Sequence, residues 1–246
     1  MTKRLHRFNL TVEQVCRLAT CFNLKSFFKN GGVVPMTGSK VDPRVVKTRS
    51  SLRKALVYLM KHENLENISV QKITETANIT RGTFYLHYKD KRDFIKSAMN
   101  EILDDLFAQI MVERQISTSG NSVQVLSLNE AFQYIENSAE VFDVLLNNER
   151  NDFFYARLYD RLCQELMKYA KQLDSEFDDF DVPVKMQVSF LASAVLGVIK
   201  SWLQDGMIYT PRYMTQSMMK MLQQFSGEGM LLTSFFDGKV KSALEI

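Results

Sequence analysis

SVQKITETANITRGTFYLHYKDK, residues 69–91, holds two short helix patterns on either side of a tight turn. Ser69 caps the first helix, and Val70, Ile73 and Ala77 recur at spacings of three and four, which puts them on one face. Asn78 stands where that helix must stop and accepts a left-handed backbone better than most residues. Ile79 plugs the angle between the helices, and Thr80 caps the second. From Arg81 to His87 this second helix buries Phe84 and turns Arg81, Thr83, Tyr85 and His87 outward. Hydrogen-bonding side chains on so short a helix suit entry of its first turn into a DNA major groove.

Working outward, Asp42 and Pro43 open a helix whose Val45, Leu52, Leu56, Leu59 and Met60 supply the third wall of a helix-turn-helix core. Its first turns expose Arg44, Lys47, Thr48 and Arg49. Asp90 caps a long fourth helix with Phe94, Ile95, Ala98, Met99, Ile102, Leu103 and Leu106 in its buried stripe. Beyond it, Leu128 to Leu146 and Phe153 to Leu173 have helical spacing. The polar stretch Ser117 to Ser122 reads as a loop and the acidic run Asp174 to Asp181 as a solvated linker. Pro183 starts a helix that stops at Gly206. Thr210 and Pro211 start another, with Met214, Met218, Met221, Leu222 and Phe225 on one stripe and Gly227 as terminator. No alternating strand pattern is legible, so the expected fold is all-α.

Charge is distributed unevenly. Residues 1–40 carry seven Lys or Arg against one Glu, residues 41–100 carry twelve against six acids, and residues 101–246 carry twelve against twenty-one. A basic front on an acidic body suits a protein that touches a polyanion with one end. Cys16, Cys21 and Cys163 have no metal-type spacing to His6, His62 or His87, so neither a disulfide framework nor a metal site is expected. His87 also lacks a second ligand or acid at catalytic spacing. With no Gly-rich phosphate loop and no nucleophile elbow, the chain does not read as an enzyme, and no cofactor is expected. The apolar run Phe190 to Ile199 falls short of the ~20 residues a bilayer needs and reads as a buried helix rather than a membrane span.

These residues together resemble the DNA-binding domain of the tetracycline-repressor (TetR) family of bacterial transcription regulators. The matching positions are Val70, Ile73, Ala77, the run Ile79 to Tyr85, His87, Tyr88, Lys91, Phe94 and Ala98. Asn78 stands where the family usually has Gly, and Tyr88 where it usually has Phe. Both changes are mild, since Asn is the next-best residue for positive φ and Tyr keeps the ring. The motif covers roughly 55 residues from Arg44 to Met99. Beyond it the likeness rests on helix pattern.

The resemblance implies a helix-turn-helix DNA-binding domain over 41–100 and a helical effector-binding and dimerisation domain over 101–246, in a cytoplasmic, nucleoid-associated regulator. Gln71, Arg81, Thr83 and Tyr85 are the candidates for base edges: Gln suits adenine, Arg suits guanine, and the Thr methyl or Tyr ring suits the thymine methyl. Lys47, Thr48, Arg49, Thr80, His87 and Lys91 are expected on phosphates, with the backbone N–H groups of the helix starts at Ser69 and Gly82 beside them. The helices near 184–205 and 211–226 are expected to join their two-fold mates in a four-helix bundle. Two recognition helices about 34 Å apart then read a palindromic operator.

An unknown small-molecule effector is expected in the body, with Phe107, Phe132, Phe142, Phe154, Tyr159 and Trp202 as candidate lining, although helical spacing reads each of these more readily as core. The rival reading is a protein of the same fold that acts through a protein partner without an effector. Residues 1–40 fall outside the pattern. They read either as a basic arm or as sequence ahead of a true start at Met36.

Overall fold

The computed structural model describes residues 42–115, 122–147, 153–173, 182–225 and 231–240. The readings of the N-terminal stretch, of residues 117–121, of the acidic run and of Gly227 lie outside the described residues.

Helix α1 (Pro43–His62) opens where Asp42 Oδ1 accepts from the Arg44 N–H at 2.8 Å and Pro43 takes the first helical position. One turn of 3-10 helix (Leu65–Asn67) leads into α2 (Val70–Thr76), α3 (Arg81–His87) and α4 (Lys91–Ile110). These four helices close on Leu52, Leu56, Ile68, Ile73, Phe84, Phe94 and Ala98, all with no exposed surface. Helix α4 does not stop at residue 100. Its second half buries Ile102, Leu103, Leu106, Phe107 and Ile110, so one continuous apolar core runs from head to body through this helix.

The body consists of α5 (Leu128–Asn137), α6 (Ala139–Leu146), α7 (Phe153–Gln172), α8 (Val184–Gln204) and α9 (Pro211–Phe225). Helix α5 packs on α4 and α9, α7 packs on α8, and α6 bridges α7, α8 and α1 of the head. The expected single helical stretch from Leu128 to Leu146 is two helices broken at Ser138 (φ −127°, ψ 27°). The Ser138 carbonyl accepts from the N–H groups of Val141 and Phe142, at 2.9 and 3.2 Å, and so starts α6 afresh. Asn137 and Ser138 favour such a break because their side chains compete for backbone hydrogen bonds.

The chain is helical as expected, with one departure. Strands β1 (Met111–Gln115) and β2 (Ser122–Ser127) form an antiparallel hairpin, with Met111 opposite Leu126 and Gln115 opposite Ser122. Strand β3 (Phe236–Asp237) adds to β2 in parallel, with Leu126 opposite Phe236. Val123 and Val125 point inward while Ser122 and Gln124 are exposed. This alternation is too short to stand out in sequence, and its partner strand lies far along the chain. The return is pinned by polar contacts: the Arg114 guanidinium donates to Tyr169 Oη at 3.1 Å and to the Ser234 carbonyl at 2.6 Å. Leu232, Phe235 and Phe236 are buried beneath it.

Helix α8 also differs from its reading. It spans 21 residues and, by length and composition alone, is apolar enough to cross a bilayer, because the helix takes in Lys185 and Lys200 at the flanks of the shorter apolar run. Half of it is buried inside the body. It stops at Gly206 (φ 71°) as expected, followed by Met207 in the same left-handed region (φ 55°).

Candidate nucleic-acid interface

The turn between α2 and α3 is built from the residues that predict it. Ser69 Oγ accepts from the Lys72 N–H at 3.2 Å, so the first helix is capped. Asn78 has φ 54°, the left-handed conformation its position requires, and the Ile79 N–H returns to the Thr74 carbonyl at 3.0 Å. Thr80 Oγ1 then accepts from the Thr83 N–H at 3.1 Å and also pairs with the Thr83 hydroxyl at 2.9 Å. Both hydroxyls are therefore occupied in fixing the start of α3.

Helix α3 is held by the Phe84 ring, which meets Phe94 edge-on at 5.5 Å and Tyr88 at 5.5 Å. Tyr88, 4 % exposed, packs between α3 and α4 and does not face solvent. Burial pushes its hydroxyl up to about 12. The outward face then carries Arg81, Gly82 and Tyr85, with Thr83 and His87 half-buried at its margins. Leu86, which the sequence reading passes over, is 83 % exposed and is the most solvent-facing large apolar side chain on this helix. A leucine beside Phe84 reads as core by composition, and only the helix phase places it outside.

Two of the base-edge candidates are already linked. The Arg81 guanidinium donates to Gln71 Oε1, and Gln71 Nε2 donates to Glu75 Oε1 at 2.8 Å. The link between α2 and α3 sets two long side chains side by side on the exposed surface. At the start of α1, Lys47 is exposed, the Thr48 hydroxyl donates to the Arg44 carbonyl at 2.9 Å, and Arg49 lies 3.6 Å from Glu101. Lys91 stands apart from the other phosphate candidates. Its ammonium donates to the carbonyls of Leu65 and Glu66, at 3.1 and 3.0 Å, and so ties the first residue of α4 to the turn before α2. Lys89 and Arg92 beside it are exposed and were not singled out by the sequence reading.

Behind the interface, α1 is tied to α4 by charge. Arg53, its side chain 10 % exposed, reaches Asp105 at 2.9 Å and Glu101 at 3.4 Å. Helix α4 is tied in turn to α7, through Arg161 to Asp104 at 3.2 Å and through Arg157 to Asn100. The head is thus coupled to the body along the polar side of α4.

In the body, five of the six candidate effector-lining residues, Phe107, Phe132, Phe142, Phe154 and Trp202, are at most 3 % exposed. Phe132 meets Trp202 edge-on at 5.3 Å and Phe142 meets Phe154 at 6.4 Å, the contacts of packed core. Trp202 Nε1 donates to the Tyr209 carbonyl at 2.9 Å. Tyr159 is half-buried, and its hydroxyl pairs with that of Ser189 at 2.9 Å. On α8 and α9, Met186, Phe190, Met221 and Phe225 remain exposed, and Phe190 meets Phe225 edge-on at 5.4 Å. Met221 and Phe225 thus leave the buried stripe of Met214, Met218 and Leu222, which recurs every four residues. Ser193, Gly197 and Ser201 line the exposed side of α8, and a Cβ at Gly197 would meet nothing within 4 Å.

Comparison with known proteins follows the same division. Residues 52–98 match the family model described as bacterial regulatory proteins, tetR family, and residues 126–224 match one described as a transcriptional regulator C-terminal region. The HTH-type transcriptional regulator YxbF of Bacillus subtilis is 24 % identical over 188 residues, which are 74 % of this chain and 46 % of that protein. The chain therefore spans less than half the length of this relative. An HTH-type regulator of Staphylococcus aureus is 24 % identical over 143 residues, 58 % of this chain and 77 % of the other. Among solved structures, a TetR transcriptional regulator from Streptococcus agalactiae aligns with a TM-score of 0.52 at 21 % identity, over 73 % of this chain and 96 % of its own, a likeness of fold.

Proposed function

The chain belongs to the TetR family of bacterial transcriptional regulators, and from that premise we propose a homodimeric repressor that grips a palindromic operator and is controlled by a small molecule bound to its body. It is a DNA-binding regulator and not an enzyme. The division of labour follows the helices: residues 41–100 bind DNA, residues 101–246 dimerise and receive the effector, and α4 belongs to both. Its place of work is the cytoplasm, at the nucleoid.

The observation that carries the reading is Gly82 on the outward face of α3. A glycine inside a helix costs about 1 kcal/mol relative to alanine. Here the fold itself asks for none, because a Cβ would meet only Thr80 Oγ1, at an ordinary 3.7 Å. The close approach that a glycine permits is to something outside the chain, and a sugar-phosphate backbone beside the first turn of α3 supplies it. Arg81 and Gln71, already side by side, then exchange their mutual hydrogen bond for guanine and adenine edges. Tyr85 serves the thymine methyl, while Lys47, Thr48, Arg49, Thr80 and His87 serve phosphates. Two-fold pairing through the exposed faces of α8 and α9 spaces the two heads for successive major grooves.

Selection of bound duplexes from a random pool tests this. A two-fold symmetric sequence whose retention weakens steeply with salt is the expected result. A protein that retains no duplex in a salt-dependent way has been misread.

The rival reading, control by a protein partner, is favoured by one observation: the rings expected to line an effector chamber are packed core. Release of operator DNA by a purified macromolecular fraction, with small-molecule extract inert, would decide for it.

A further inference from the structure

A cleft where head meets body carries polar groups that DNA binding leaves unused. Lys61, His62, Glu63 and Asn64 around the end of α1 and Asp143 and Asn147 at the end of α6 line about 260 Å³, with Met60 and Val144 supplying the apolar part of the wall. On the α6 side three features lack their usual complement. The negative end of a helix favours cations, yet α6 has no basic residue in its last turn. Asp143 stands in that turn, where a carboxylate is unfavourable. Its Oδ1 accepts from Asn147 Nδ2 at 2.8 Å, and no ion pair holds it among the described residues. Asn147 Oδ1 is shielded from solvent and has no donor among the described residues, a costly state for a polar atom.

On the α1 side the charges are already committed. Glu63 pairs with Lys72 at 2.5 Å, Lys61 reaches Glu140 at 3.7 Å, and the His62 ring lies against Tyr58 with centroids 4.9 Å apart.

We propose that this cleft binds a small organic cation, a primary ammonium whose N–H groups go to Asp143 and to Asn147 Oδ1 at the negative end of α6 while its alkyl part lies on Met60 and Val144. All the unmet groups are acceptors, so the ligand is a donor. The volume is just under the roughly 300 Å³ at which drug-sized sites begin, which restricts the ligand to a short amine. One wall belongs to α1 of the head and the other to the body, so an occupant holds the two in one setting. Any difference in its affinity between settings passes to the DNA face. That consequence rests on the regulator reading; the binding site itself does not.

Calorimetric titration of the full chain with n-butylammonium chloride, with 1-butanol as the neutral control, tests the site. Saturable binding of the ammonium alone is expected. Asp143→Asn should weaken it about tenfold or more, and Asn147→Asp, which adds a carboxylate at the same place, should strengthen it. Equal behaviour of amine and alcohol, no binding of either, or an Asp143→Asn variant that folds and binds as before overturns the proposal. The opposite sign expected of Asn147→Asp guards against a variant that simply misfolds. Salt-sensitive retention of duplex DNA, measured on the same samples, separates the two readings. Retention without amine binding removes the cation site alone, whereas amine binding without retention removes the regulator and leaves the site.

Discussion

Gly82 sets the sharpest test available from one residue. If its missing side chain serves DNA and not the fold, Gly82→Ala should raise the unfolding free energy by up to about 1 kcal/mol while weakening operator binding. Chemical denaturation and fluorescence anisotropy on one preparation would register the two opposite changes. Arg81→Ala should cost about 1–3 kcal/mol of binding and relax the base preference. Lys47→Ala should weaken all duplexes alike and reduce the salt slope by about one. Equal loss of specificity in both variants would reverse the assignment. Lys91 belongs elsewhere: with its ammonium on two carbonyls, Lys91→Ala should act first on the stability of the head. That role is not legible in sequence, where a lysine at the start of a helix near a recognition element reads as a phosphate ligand. Asn78, by contrast, is legible because its place at the end of a helix and its tolerance of the left-handed backbone are both local features of the sequence.

Between elements, the contacts that matter are those joining α1 to α4. Arg53→Met would leave Asp105 partly buried without its cation and Glu101 with only the more exposed Arg49, a change that typically costs about 3 kcal/mol or more and is readable as a shifted denaturation midpoint. Burial pushes both carboxyls above their ordinary values, against the pull of Arg53. A carboxyl raised by folding binds its proton more tightly in the folded chain. Its contribution therefore favours the fold at low pH and is lost as pH climbs from the ordinary value through the raised one. Glu101→Gln removes this falling limb, so the melting temperature of the variant relative to the parent should climb as pH rises through and above the ordinary carboxylate range. A difference that shrinks over that range would contradict the assignment.

The helices themselves were legible because each carries its own period and cap. The three strands were not, since β1 and β2 alternate over only a few residues and β3 is two residues long, its partner chosen by tertiary packing. The buried rings of the body show the same limit from the other side. Helical phase says that Phe132 and Phe142 face inward, but whether the inside is filled or hollow depends on every other side chain that arrives there.

For the whole molecule, the proposed dimer is the assembly on which operator reading would depend. Gly197 leaves open space along the exposed side of α8, and a second copy of that helix is proposed to approach there. Gly197→Arg should therefore yield a folded monomer by sedimentation and lower operator affinity by well over tenfold, because the second head no longer binds in concert. A variant that stays dimeric would place the two-fold axis elsewhere.

The parallel pairing of Leu126 with Phe236 has a consequence for biogenesis. The four helices of the head are complete by Ile110 and can consolidate while the remainder is still being translated, since domains fold in the order they emerge. The sheet cannot close until Phe236 has been synthesised, and pairings between such distant stretches form slowly. Nascent chains would thus display a finished head well before the helices proposed to pair two copies, α8 and α9, have been made, and because a single head binds weakly, firm operator binding is expected only once those helices have emerged.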